Sequence, residues 1–200
     1  MTGENITQLI TGFEPFTTGQ GLVLDHNPTA QIAAQVASRL PLGDHRTLPV
    51  SYEKTKAALG GAFQELRPRH WIGLGYAPHR TTLDFETIAL NMEHAVRGDN
   101  DGETPWMRPI VNPGPQAYKT RIEVKEALEI LNRHGAPAVA AFHAGTFLCN
   151  QVFFLGCHEV ESPSPLEKAA FIHVPPMDTY EPLVEGLVAL FNALETQPIG

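Results

Sequence analysis

Ala138-Val139-Ala140-Ala141-Phe142-His143-Ala144-Gly145-Thr146-Phe147-Leu148-Cys149-Asn150 runs from a short apolar segment through a small glycine-containing turn to the start of an apolar-faced helix. A strand at Ala138 to Phe142 followed by a helix from about Cys149 is one βα unit, and the rest of the chain repeats that grammar. Upstream, Gln8 to Gly12, His45 to Val50, Trp71 to Gly75 and Leu83 to Leu90 are further strand candidates; downstream there is one at Ala169 to Val174. Between them, helical spacing predicts helices over Ala30 to Leu40, Ser51 to Leu66, Ile122 to Asn132 and Pro182 to Leu194. Asn27 or Thr29 can cap the first of these, with Pro28 at an early position. Ser51 with Lys54 three residues on makes only half of a capping box. Short apolar strands alternating with amphipathic helices predict a single-domain three-layer α/β/α sandwich with a twisted, mostly parallel sheet.

Arg97 to Thr120 interrupts this pattern. Pro105, Pro109, Pro113 and Pro115 together with Gly98, Gly102 and Gly114 exclude a long helix or central strand. A loop of that length in a compact chain is usually functional, often as a cover over a site.

Bulk properties narrow the function. The 200 residues suit one domain, and 42% hydrophobic with 18% charged residues is an ordinary globular balance. A formal net charge of −8, with no basic cluster, argues against nucleic-acid binding, which needs Lys and Arg to displace phosphate counterions. Apolar runs are too short to span a bilayer, so no membrane association is expected. The first residues, Met1 to Gln8, lack the basic start and apolar stretch of a secretory signal, which predicts a cytoplasmic address. If Cys149 and Cys157 share a helix, their Cα atoms lie roughly 12 Å apart. A disulfide needs less than about 7 Å, so both are expected as free thiols.

Chemistry concentrates at Cys149. Backbone N–H groups at a helix start are unpaired and carry partial positive charge, which favours a thiolate and can hold a developing oxyanion. The segment alone leaves open a buried structural cysteine, and Cys157, on the apolar face, fits that description better. Of the nine histidines (26, 45, 70, 79, 94, 134, 143, 158 and 173), none has HxxxH or His/Cys zinc spacing, so no metal is expected. His173 follows Ala169-Ala170-Phe171-Ile172 at a strand end, on the edge where the Cys149 turn opens. His143 is a rival, placed just before that turn. Glu86 lies among Phe85, Ile88, Ala89 and Leu90, where a carboxylate is costly without a partner such as an imidazolium. Pattern alone also allows Glu86 to face water at a strand edge, and His173 to be structural.

Four segments in order carry a resemblance: Thr11-Gly12-Phe13-Glu14-Pro15-Phe16 with Asn27-Pro28; Glu86-Thr87-Ile88-Ala89-Leu90-Asn91; Ala144 to Asn150; and Phe171-Ile172-His173-Val174-Pro175. Together they resemble the pyroglutamyl peptidase I (pyrrolidone-carboxylate peptidase) family of cysteine peptidases. The resemblance implies a catalytic set of Cys149 as nucleophile, His173 as base and acid, and Glu86 as the carboxylate that orients it. The implied substrate is a peptide with N-terminal pyroglutamate, cleaved through a thioester. Phe13, Phe16 and Asn27 are the implied pocket, with Tyr76, Phe147 and Leu148 at its edge. Aromatic faces suit the body of a flat neutral lactam, and amide or backbone groups can pair its polar edges. No cofactor is implied, and a homo-oligomer, dimer or tetramer, is.

The chain also departs from the family pattern. A turn that usually reads GxAGGR is Gly75-Tyr76-Ala77-Pro78-His79-Arg80 here, and Val96 stands where an arginine is usual, with Arg97 beside it. The stretch between Phe16 and Asn27 is longer than usual. These differences motivate an alternative: a non-catalytic or altered-specificity relative that binds or cleaves another small N-terminal amide or lactam.

Overall fold

A computed structural model describes residues 7–16 and 27–196. Strands β1 (Gln8–Phe13), β2 (Gly43–Leu48), β3 (His70–Tyr76), β4 (Leu83–Glu86), β7 (Ala138–Ala141) and β8 (Lys168–Val174) form a six-stranded sheet in the order β2-β1-β3-β8-β4-β7. All neighbours in it are parallel except β4 and β8. Strands β5 (Ile88–Leu90) and β6 (Ala117–Lys119) make a separate antiparallel pair.

Helices α1 (Pro28–Arg39), α2 (Tyr52–Leu66), α3 (Val124–Arg133), α4 (Leu148–Val160) and α5 (Glu181–Thr196) cover the sheet in two layers. The strand period of two explains why both layers have a core. Ile10, Ile72 and Ile172 join Ile32 and Val36 of α1, Ile130 of α3 and Leu187 of α5. Their sequence neighbours Leu9, Trp71 and Phe171 point the other way, joining Phe63 of α2 and Phe153 of α4. Each central strand is apolar at consecutive positions because both of its faces are buried.

Several boundaries differ from the sequence reading. Leu83 to Leu90 is not one strand: β4 ends at Glu86 and the chain leaves the main sheet at Thr87. There the Thr87 N–H and hydroxyl both donate to the Ala141 carbonyl, at 2.9 and 2.7 Å. β5 then pairs with β6, which lies inside the loop expected to be irregular. β4 is fully buried and β5 is apolar throughout with Ala89 buried, so hydrophobicity alone hid the break. β2 starts at Gly43 and stops at Leu48, before Pro49. Of the two cap candidates, Asn27 is the N-cap of α1 and Thr29 sits inside the helix. Ser51 caps α2 by accepting the Lys54 N–H at 3.4 Å, and Lys54 stands where a full capping box has Glu or Gln. Among the described residues, no helix is long and apolar enough to cross a membrane. The stretch between Phe16 and Asn27, expected to be longer than in relatives, lies outside the described residues.

Candidate active site

Helix α4 begins one residue before Cys149. Phe147 is its N-cap in extended conformation, and its carbonyl receives the N–H groups of Asn150 at 3.0 Å and Gln151 at 3.1 Å. Cys149 thus stands in the first turn, where N–H groups have no intrahelical partner. The turn before it is held from outside. The His94 N–H donates to the Thr146 carbonyl at 3.0 Å, and the Thr146 hydroxyl returns a bond to the His94 carbonyl at 2.9 Å. Next to the cysteine, the buried Asn150 side chain accepts the Leu90 N–H at 2.9 Å. It also donates to the carbonyls of Leu90 and Met92, at 2.8 and 2.9 Å. Asn150 is part of the sequence motif around Cys149, where nothing local indicates its role. Its position explains β5, because the amide replaces the sheet partner that this segment lost.

His173 and Glu86 reach Cys149 from two strands. Because β4 runs antiparallel to β8, Glu86 pairs with Phe171 and Asp84 with His173. The Glu86 Oε1 lies 2.8 Å from His173 Nδ1, and Glu86 is fully buried, so the water-facing alternative does not hold. His173 is nearly buried and packs edge-on against the Phe171 ring at 5.2 Å. Burial opposes its positive charge. The Cys149 sulfur, by charge and hydrogen bond, and then the Glu86 carboxylate outweigh it, raising the imidazole from 6.5 to about 10. His143 is exposed and accepts the Gly145 N–H at 3.2 Å, a bond that stiffens the turn.

The sulfur opens into a cavity of about 130 Å³ lined by Phe13, Phe16, Asn27, Tyr76, Phe147 and Leu148, with Val50, Gly75 and Cys149 completing it. Sites for drug-sized ligands hold ~300–1,000 Å³, so this one fits a single small group. Val50 and Gly75 escaped the sequence reading. Gly75 had a readable signal, since it ends a strand beside the departing turn. A Cβ there would lie 3.0 Å from the Cys149 sulfur and 2.8 Å from the Phe171 ring. The Asn27 amide donates to the Glu14 carbonyl at 3.1 Å, while its oxygen accepts from the Thr29 N–H and hydroxyl, at 3.1 and 2.7 Å. Asn27 therefore shapes the cavity wall as it caps α1. Val96 and Arg97 are both exposed, and neither lines the cavity. In the altered turn, Arg80 pairs with Asp84.

A family model for pyroglutamyl peptidases matches residues 6–182. The chain belongs to the pyroglutamyl peptidase family. Among relatives, the pyrrolidone-carboxylate peptidase of Clavibacter michiganensis is 36% identical over 173 residues, covering 84% of this chain and 78% of that protein. That of Pyrococcus furiosus is 36% identical over 171 residues, covering 84% and 79%. The crystal structure of Bacillus amyloliquefaciens pyroglutamyl peptidase I superposes with a TM-score of 0.82 at 28% identity, over 92% of this chain and 94% of that one. The pyrrolidone carboxyl peptidase of Fervidobacterium islandicum gives 0.85 at 27% identity, over 95% and 98%.

Proposed function

We propose that this protein is a cysteine peptidase that removes N-terminal pyroglutamate, with Cys149, His173 and Glu86 as its catalytic residues. The observation that carries this reading is the 2.8 Å contact of Glu86 with His173, formed in a buried setting beside the sulfur of Cys149. A histidine that gains charge next to that sulfur is suited to hold a thiolate and then to protonate a departing amine.

The pyroglutamyl ring occupies the cavity between Phe13, Phe16 and Phe147, and its carbonyl carbon faces the Cys149 sulfur. Attack forms a C–S bond. The oxyanion is held at the start of α4, where the N–H groups of Leu148 and Cys149 are available. Collapse breaks the C–N bond as His173 passes its proton to the peptide amine. A water, deprotonated by the now neutral His173, hydrolyses the thioester. Among the described residues, the cavity wall offers no carboxylate to an ordinary charged N-terminus, which would be desolvated there without a partner.

The sequence-based expectations of a cytoplasmic address and of a dimer or tetramer belong to the same reading. Release of the chromophore from pyroglutamyl-naphthylamide tests it, with alanyl-naphthylamide as the control. Turnover of the first and not of the second is expected. Turnover of neither substrate overturns the reading.

A further inference from the structure

A second, larger depression adjoins the catalytic groups on the side away from the ring cavity. It holds about 530 Å³, is open to solvent, and is walled by the turn His79 to Thr82, by Asp84, and by Val139 to His143. Its place in the sheet is fixed by register. Asp84 is the cross-strand partner of His173 on one side and of Val139 on the other. Directly paired residues project from the same face, so His173, Asp84 and Val139 share the face that carries Phe171 and α4. Across that face the order is ring cavity at β1 and β3, then His173 on β8, Glu86 and Asp84 on β4, and the groove at β4 and β7.

This order gives the substrate a direction. The ring lies on the β3 side of the sulfur, and the scissile nitrogen must face His173 to receive its proton. The chain that continues from that nitrogen therefore runs toward β4 and β7. Resting on the peptidase reading, we infer that the groove between Asp84 and Val139 binds the peptide segment on the leaving-amine side of the pyroglutamyl residue. Its chemistry suits that occupant. The hydroxyls of Thr81 and Thr82 and the paired Arg80 and Asp84 offer donors and acceptors to a peptide backbone. Val139 and Phe142, 45% and 77% exposed, offer apolar surface to its side chains. Of the two departures at Pro78 and His79, His79 lines this groove, and neither lines the ring cavity.

The test compares pyroglutamyl-alanine amide with a pyroglutamyl tetrapeptide amide on the wild type and on Val139→Arg. Phe142→Ala is a second variant, and thermal unfolding checks that both fold. In the wild type kcat/KM is expected to rise roughly five-fold or more with the longer substrate, and Val139→Arg to remove that gain while leaving the short substrate unchanged. Hydrolysis without any dependence on length overturns the groove alone. Equal loss on both substrates with a change of sedimentation assigns this face to contact between copies of the chain and also overturns it. No hydrolysis of either substrate by the wild type overturns the peptidase reading, and the groove with it.

Discussion

Cys149 and Cys157 sit eight residues apart on the same helix, and everything that separates them is environment. Cys149 is partly exposed in the first turn, with His173 beside it and a cavity in front. Cys157 is two turns further along, packed in the core with Leu9, Phe63 and Trp71 of the same layer. Burial pushes its thiol up to about 12, with the nearby Glu161 adding to the effect, so it stays protonated and inert across the physiological range. Residue type is shared, and the helix is shared. Helix end against helix interior, and imidazole against hydrocarbon, make one sulfur a candidate nucleophile and the other a small core residue.

The contrast breaks most visibly if both cysteines are removed in turn. Cys149→Ala is expected to lower kcat/KM by on the order of 10⁴-fold or more with the fold intact. Cys157→Ala should keep activity within about two-fold while lowering stability by roughly 1–2 kcal/mol. Comparable loss of activity in the two variants would erase the distinction. Next in size, His173→Ala removes the proton carrier and should cost about 10²–10⁴-fold in kcat, measured with the same chromogenic substrate.

Gly75→Ala sharpens the comparison without replacing any titrating group. Its new methyl would crowd the Cys149 sulfur at 3.0 Å, and a displacement of that kind is expected to cost at least about ten-fold in kcat. Alkylation of the variant would show whether the thiol still reacts while misplaced.

The smallest effect is on stability. The folded pKa of His173, about 10, lies above its ordinary 6.5. Its charge therefore contributes stability that is complete below about pH 6.5 and is lost as pH rises through about 10. The unfolding midpoint of the wild type should fall over that window, and less steeply in Glu86→Gln, which lacks the carboxylate that helps hold the charge. Parallel curves would contradict this account of the pair.

Much of the architecture was legible because strand alternation is a local signal. Leu9 and Ile10, Trp71 and Ile72, and Phe171 and Ile172 each send adjacent side chains into opposite cores, and their apolar runs announce strands buried on both faces. The break at Thr87 was not legible. It depends on the Asn150 amide capturing Leu90, a contact across sixty positions that no window of sequence contains. The site was half legible for the same reason. The chemistry of a cysteine at a helix start can be read from Gly145 to Asn150. The contact of His173 with Glu86 depends on β4 running antiparallel to β8, the one exception in an otherwise parallel sheet. Asn27 lines the cavity, yet its amide serves the backbone of Glu14 and Thr29, a role set by the folded chain and not by local pattern.

The most direct test of the central claim is alkylation by iodoacetamide at limiting reagent, with the labelled residue located by mass spectrometry. A single label on Cys149 is expected, with turnover lost in proportion, Cys157 untouched, and labelling at least about ten-fold slower in His173→Ala. Full turnover by protein alkylated at Cys149, or labelling equally fast without the imidazole, would contradict the account.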